Sequence, residues 1–502
     1  MSPRVRLILY LAAGIVLGIA IGADIADESF GLATLVAMAC GWLILRRVSA
    51  ADPDAWMLAV VIFGYVVGNR GFAQLQPANL IPLLPAEAVL LVAVPALVVR
   101  MTLKTDTGFR RDALNYAILV WLALGAIRLP LDMENYGVLA LRDFAMVYYA
   151  VFFFVAQAFA ARPQNVRVLR GAITLGYVCL IPVVISILIW PDFLVDNLTW
   201  RGIPLIYHKS DLIATSLAAG FFWLWTRWER DKRRVWLVLA AASLLLIGKM
   251  SSPRAAMAAV AVTTLLWLAI GRWRVAAAQF GIIAAAAVVG VGVLTFTGGD
   301  IQTSVPYSMY EHAVSIFDPY GNGNYINGES GNPADNNRFR LVWWNDVIGD
   351  TMAENPVFGL GFGTDLAARF AADYGLTTDE TFAARSPHSM IVTTFGRMGF
   401  LGLASWLLVS ALAARTVWRL FAEGDPDALG FCCIVTVTWI SACVGVVLES
   451  PMAAVIFWTA LGLAHGRLRR TEPPQPQTGL ADKSGDWPVA KPAAVDTQSL
   501  LR

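Results

Sequence analysis

The chain has 502 residues, of which 57% are hydrophobic and 15% charged, with 18 Trp, 25 Phe and a mean hydropathy of +0.61. Soluble domains carry about a quarter charged residues and roughly 45–50% apolar ones, so a string of soluble domains, a disordered regulator and a disulfide-stapled secreted scaffold are excluded. The formal net charge of +2 is too small to argue for nucleic acid, and no nucleic-acid partner is expected.

Apolar stretches of about 20 residues cross a bilayer as helices, because only a helix satisfies its own backbone groups there. In chain order such stretches run over 7–23, 30–45, 55–68, 86–99, 113–129, 139–160, 171–190, 212–226, 235–249, 254–270, 275–296, 388–414, 428–448 and 452–465. The fold expected is an all-α integral membrane protein with about 12–14 transmembrane helices and the lipid bilayer as its solvent. Arg4 and Arg6 precede the first span without a small-residue cleavage site, so that span reads as a retained anchor. The chain divides into helices 1–11 over 1–296, a large periplasmic loop with short helices over 297–387, C-terminal helices over 388–470, and a tail over 471–502. The loop holds a Gly/Asn/Pro-rich stretch from Gly321 to Asn337 and an amphipathic helix expected at 337–352. The tail is Pro-rich without periodicity and reads as disordered.

With the N-terminus inside, 26 of the 38 Lys and Arg fall in cytoplasmic segments, the tail included. That bias follows the positive-inside rule and puts both termini in the cytoplasm. The other cations are Arg70, Arg128, Arg142, Arg201, Lys209, Lys249, Arg254, Arg338, Arg340, Arg369, Arg385 and Arg397, at or near the outer face. Charge near a membrane interior is costly, so each is a candidate for function. Ser252-Pro253-Arg254 and Ser386-Pro387-His388 each precede an apolar run descending inward. Ser caps helices and Pro suits the first helical position, so both motifs place a functional side chain at a helix mouth. Such an end binds anions, and its dipole disfavours an imidazolium at His388. Blander roles stand beside these: Arg254 could snorkel to the interface, Arg340 could stack on Trp343 or Trp344, and Arg338 reads as solvated. The five cysteines, Cys40, Cys179, Cys432, Cys433 and Cys443, lie in apolar runs without metal-ligand spacing, so no disulfide framework and no metal site is expected.

Phe339-Arg340-Leu341-Val342-Trp343-Trp344, followed by Asn355-Pro356-Val357-Phe358-Gly359-Leu360-Gly361-Phe362-Gly363, resembles the Arg-x-x-x-Trp…Pro-x-x-Gly-x-Gly segment of the O-antigen ligase and polysaccharide polymerase superfamily. Pro387-His388-Ser389…Gly396-Arg397-Met398-Gly399 is similar to that family's His-Asn…Gly-x-x-Gly block, with Ser389 where the family has Asn. Lys249 to Ala255 resembles its Ser-Arg-Gly/Thr-Ala element, with Pro253 intruding, and Trp200-Arg201-Gly202…His208-Lys209 resembles the Trp-Arg-Gly…His-Lys-Asn element of exopolysaccharide polymerases, with Ser210 in place of Asn. The likeness spans roughly residues 200–465.

The resemblance implies a transferase of the bacterial inner membrane, using a glycan carried on undecaprenyl diphosphate. The acceptor is another glycan or a lipid A core, with polysaccharide assembly or export proteins as partners. It implies no cofactor, and no metal. Arg254 and Arg340 would hold the diphosphate, with Arg338 as the other match to the family arginine and Arg201 and Lys209 supporting. His388 would deprotonate the acceptor hydroxyl, giving inversion at the anomeric carbon, and His208 and Arg397 would assist. The His-Lys element leans towards a polymerase. The rival reading is a multi-pass transporter or flippase of lipid-linked or anionic solutes. The lack of a sequence repeat and the one-sided placement of charge stand against it.

Overall fold

The computed structural model describes residues 49–75, 84–103, 108–250, 253–297, 302, 305–318, 333–373 and 386–468. The spans expected at 7–23 and 30–45 and the tail over 471–502 lie outside the described residues, as does most of the Gly/Asn/Pro-rich stretch. Helix α1 (Pro53–Val67) is followed by the single turn α2 (Arg70–Ala73), α3 (Pro85–Thr102), α4 (Ala113–Tyr136), α5 (Val138–Tyr148) and α6 (Val151–Ala160). Then come α7 (Pro163–Ile189), the short α8 (Phe193–Asn197) and a two-residue hairpin, β1 (Thr199–Trp200) with β2 (Ile203–Pro204). Next are α9 (Ser210–Asp231), α10 (Arg234–Ile247), α11 (Arg254–Ala269) and α12 (Arg274–Thr297). Helices α13 (Val305–Ile316), α14 (Pro333–Glu354) and α15 (Ala368–Asp373) precede α16 (Met390–Glu423), α17 (Pro426–Cys443) and α18 (Pro451–Leu468).

The protein is an all-α integral membrane protein. Among the described residues, six helical segments are long and apolar enough to cross a membrane: Pro85–Thr102, Ala113–Tyr136, Val138–Ala160, Pro163–Ile189, Met390–Glu423 and Pro426–Cys443. Shorter apolar helices occupy Pro53–Val67, Arg234–Ile247, Arg254–Ala269 and Arg274–Gly290. Pro at the first turn opens α1, α3, α7 and α17, where a missing N–H costs nothing. Gly424 closes α16 in the left-handed conformation that a side chain would resist.

Small residues set how closely the helices approach. A Cβ on Gly462 of α18 would lie 2.3 Å from the Phe153 carbonyl oxygen of α6, and one on Gly466 would lie 2.4 Å from the Ala160 Cβ. This four-residue spacing of glycines lets the two backbones touch, as membrane helices require when packing rather than water drives them together. Trp121, Trp406 and Trp458 then meet in the centre, the first pair tilted and the second edge-on, with ring centroids 5.5 and 6.2 Å apart.

Helix α9 runs from Lys209 at one end of the bundle to Arg230 at the other. At the Arg230 end, Asp427 takes Arg170, Arg230 and Arg467 at 2.5, 3.2 and 3.4 Å. Asp54 pairs with Arg100 at 3.0 Å, Asp52 with Arg162, and Asp112 with His465 at 2.8 Å. The Lys209 end is arranged differently.

Candidate active site

The site is built on a break in a helix. Regular dihedrals in α16 fail at Gly399, with φ 61° and ψ −158°. The segment after α14 crosses at this break and pairs with the interrupted backbone. Leu360 and Gly361 N–H donate to the carbonyls of Gly396 and Arg397 at 2.7 and 3.1 Å, while Phe400 and Leu401 N–H donate to Pro356 and Val357 at 2.8 and 3.2 Å. A Cβ on Gly399 would lie 2.4 Å from the Val357 carbonyl, and one on Gly359 would lie 2.5 Å from the Arg397 carbonyl carbon. The two glycine-rich runs therefore fit each other. Neither tolerates a side chain where they cross.

Charged side chains fasten this crossing. Arg128 of α4 donates to the Phe358 carbonyl at 3.0 Å and pairs with Asp132 at 2.9 Å, and Asp132 accepts from Phe362 N–H at 2.7 Å. Asp143 of α5 accepts from Gly363 N–H at 3.0 Å and pairs with Arg397 at 2.8 Å. Arg397 is 3% exposed and also donates to the Gly361 and Thr364 carbonyls, each at 3.2 Å. Its guanidinium is committed to the scaffold.

Helix α14 lies over the turn that leads into α16. Trp344 donates to the Pro387 carbonyl at 2.5 Å, and the buried Trp343 donates to Leu366 at 2.7 Å with its ring edge-on to His388, centroids 5.6 Å apart. Arg340 donates to the Val444 carbonyl at the end of α17, at 2.7 Å. The α14 helix thus bridges the His388 turn and the α17 terminus. The alternative of Arg340 stacking on Trp343 or Trp344 gives way to this hydrogen bond, while both indoles donate to carbonyls.

The helix start differs from the sequence expectation. Ser389, not Ser386, caps α16, accepting from Val392 N–H at 3.5 Å, so the helix begins at Met390. His388 precedes the cap with φ 57°, a left-handed conformation that a residue with a Cβ adopts only under constraint. It is therefore not in the first helical turn.

A cavity of about 400 Å³ opens at this end of the bundle, lined by Arg70, Arg142, Lys209, His388, Arg397 and Glu449 among others. The His388 imidazole is held down to about 3 by burial, and then by the positive charges of Arg340 and Lys209. Those influences, rather than the helix dipole, keep the ring neutral at physiological pH. Its Nδ1 is buried without a hydrogen-bond partner. Lys209 lies 3.4 Å from Asp211, Arg142 3.9 Å from Asp143, and Arg70 sits over the Tyr207 ring at 5.6 Å. Burial lowers the Arg340 pKa, opposed by Asp211, but a guanidinium stays charged there.

The structure brings together His388, Lys209 and Arg397 of the residues expected from sequence, with the Arg340 charge felt at the imidazole. The others stand elsewhere. Arg254 opens α11 beside His312 of α13, whose pKa is lowered by burial and then by the Arg254 charge. Arg201 is exposed in the hairpin turn with φ 52°, and Arg338 is exposed on α14. His208 turns away from the cavity, its Nε2 2.6 Å from the Val67 carbonyl, where it staples the chain to the α1–α2 turn. Sequence reasoning passed over Glu449 and Asp143 and gave no role to Arg70 and Arg142. Glu449 had one signal: it is a lone carboxylate in the short turn between two apolar runs.

A helical membrane protein with a cationic cavity and a neutral imidazole at one end of its bundle is thus defined. Residues 245–407 match the family model described as O-antigen ligase, which supports the likeness to the O-antigen ligase and polymerase superfamily over that stretch. The matched stretch contains Arg254, Arg340, His388 and Arg397, while Arg70, Arg142, Lys209 and Glu449 lie outside it. No curated protein matches the chain.

Proposed function

We propose that the protein moves a glycan from undecaprenyl diphosphate to an acceptor hydroxyl at the outer face of the bacterial inner membrane. The observation that carries this reading is the cavity, where a neutral imidazole meets the side chains of Arg70, Arg142 and Lys209 at one end of an apolar bundle. A lipid-linked diphosphate sits at the membrane surface with its chain in the bilayer, so its receptor needs cations at that depth. Arg70, Arg142 and Lys209 draw in the diphosphate, with the Arg340 charge behind them. Arg254, Arg201 and Arg338 lie outside this cluster and are not assigned to the diphosphate. Arg397 positions the glycine crossing rather than the substrate.

The acceptor hydroxyl gives its proton to His388 as its oxygen bonds to the anomeric carbon. The bond from that carbon to the phosphate oxygen breaks, the electron pair leaves on undecaprenyl diphosphate, and the configuration inverts. The cations stabilise the charge that grows on the phosphate, so the scheme asks for no metal or cofactor. Bound diphosphate also tunes the base. Its negative charge offsets Arg340 and Lys209 and raises the imidazole towards a pKa useful for accepting a proton.

The acceptor is a growing glycan or a lipid A core, and the Trp200–Lys209 resemblance favours polymerisation. The test is purified full-length protein in nanodiscs with lipid-linked repeat units alone. Longer chains with release of undecaprenyl diphosphate support a polymerase; release only after another acceptor is added supports a ligase. Absence of bond cleavage with every acceptor, or movement of donor across the bilayer without cleavage, overturns the reading.

A further inference from the structure

The cavity contains one charged group that the scheme above leaves idle. Glu449 lies in the turn between α17 and α18 and lines the cavity together with His388, Lys209 and Ser386. Its Oε1 accepts a hydrogen bond from the Thr393 hydroxyl at 2.9 Å, and the nearby Ser386 hydroxyl also favours the charged carboxylate. The Ser386 and Thr393 hydroxyls are themselves 3.3 Å apart. They flank His388, so the carboxylate and the imidazole are fixed by one short stretch of chain.

Counter-charge does not explain this carboxylate. Arg397 has Asp143 at 2.8 Å and Lys209 has Asp211 at 3.4 Å. Among the described residues the hydrogen-bond partner of Glu449 is the neutral Thr393 hydroxyl, and the charges of Arg397 and Lys209 act on it without an ion pair. Burial raises its pKa against all of these influences. A carboxylate taken from water is stable only when its acceptor sites are filled, and the Thr393 hydroxyl fills one of a set of about four. Its remaining acceptor sites face a cavity that a ligand can enter.

We propose that Glu449 binds the acceptor glycan, accepting hydrogen bonds from its hydroxyls and so turning the attacking hydroxyl towards His388. A diphosphate would be repelled by this group, and sugar hydroxyls are the donors a carboxylate recognises. Donor and acceptor are thereby sorted by charge within one cavity: the diphosphate goes to the cations, the polyol to the acid. This assignment rests on the glycan-transfer reading and names the acceptor side of the same site.

The experiment measures transfer in nanodiscs with Glu449→Gln and Glu449→Asp, varying donor and acceptor separately. Gln keeps the hydrogen bond from Thr393 but loses the charge. Losing one charge-assisted hydrogen bond predicts an acceptor KM raised about 10-fold or more, with donor KM changed by less than about 2-fold. Asp restores part of the acceptor affinity. An acceptor KM unchanged in Glu449→Gln, or a donor KM raised as much as the acceptor KM, overturns the proposal. Donor binding by the variant, read with lipid-linked donor alone, shows that the cavity is intact. If the wild-type protein cleaves no donor, the glycan-transfer reading fails instead, which separates the two outcomes.

Discussion

The two ends of the helical bundle carry charge in opposite ways. At the Arg230 end, acids and bases are matched into a network around Asp427, Asp52 and Asp112, and the cations there face carboxylates from neighbouring helices. At the Lys209 end, four cations, two acids and a neutral imidazole line an open cavity instead. Arg142 illustrates the difference, with its side chain 58% exposed and Asp143 3.9 Å away, against 2.5 Å for Arg170 and Asp427. Matched charge fixes helices to one another. Charge converging on a space is available to a ligand, and that contrast locates the site.

Replacing His388 should break the comparison most visibly. His388→Ala removes the proposed proton acceptor, and positioned general bases contribute about 10²–10⁴-fold, so release of undecaprenyl diphosphate should fall by that factor. Donor binding should persist, because the cations remain. Wild-type release rates in this variant would remove His388 from the chemistry. The scaffold should fail differently. Gly399→Ala places a Cβ 2.4 Å from the Val357 carbonyl at a left-handed φ, which costs about 1–3 kcal/mol in strain alone before any clash. A lowered melting temperature with both donor and acceptor affinity lost is expected, whereas unchanged melting would show that the crossing is not held as described.

Smaller effects should separate the cations. Lys209→Gln should raise donor KM about 10-fold, the worth of one charge-assisted contact, and flatten its dependence on salt. The proton balance of His388 gives a measurement independent of substrate. An unfolded His titrates near 6.5 and this one near 3, so the unfolded chain binds the extra proton between those values. Stability must therefore fall as pH drops through 6.5 and go on falling to about 3. In His388→Gln this contribution is absent, and a melting curve against pH should show a shallower acid limb. Equal limbs would mean that the ring is not held neutral.

Much of this was legible in the sequence, and what was not has identifiable causes. The helices followed from apolar runs, because burial in lipid leaves no other backbone solution. The break at Gly399 was hidden inside a continuous apolar run, since only the segment from Pro356 to Gly363, far away in sequence, makes the irregular backbone stable. Arg338 and Arg340 both matched the family arginine, yet two residues on a helix point in nearly opposite directions, and only Arg340 turns inward. Neighbours diverge in the same way at His208 and Lys209, where an extended backbone sends one ring to the Val67 carbonyl and the other side chain to the cavity. Arg254 shared a Ser-Pro syntax with His388, but a cap motif specifies a helix start and not which cavity that start faces. Arg70, Arg142 and Glu449 belong to no motif. Their meeting depends on how α2, α5 and the α17–α18 turn pack.

The smallest effect tests the other half of the comparison. Arg467 lies 2.6 Å from Asp425 and 3.4 Å from Asp427, which also holds Arg170 and Arg230. Removing one cation from a shared, partly exposed acid should cost no more than about 1 kcal/mol, because Arg170 and Arg230 remain to satisfy Asp427. Arg467→Gln should therefore lower the melting temperature slightly and leave donor and acceptor KM where they were. The result matters because Arg467 and Lys209 are both cations with an acid in reach, and distance to that acid alone does not tell them apart. They differ in what lies on the other side of the side chain: helix ends for Arg467, an open cavity for Lys209. A change in donor KM at Arg467 comparable to that at Lys209 would show that the bundle responds to charge as a whole, and the cavity would lose its claim to be the place where the diphosphate binds.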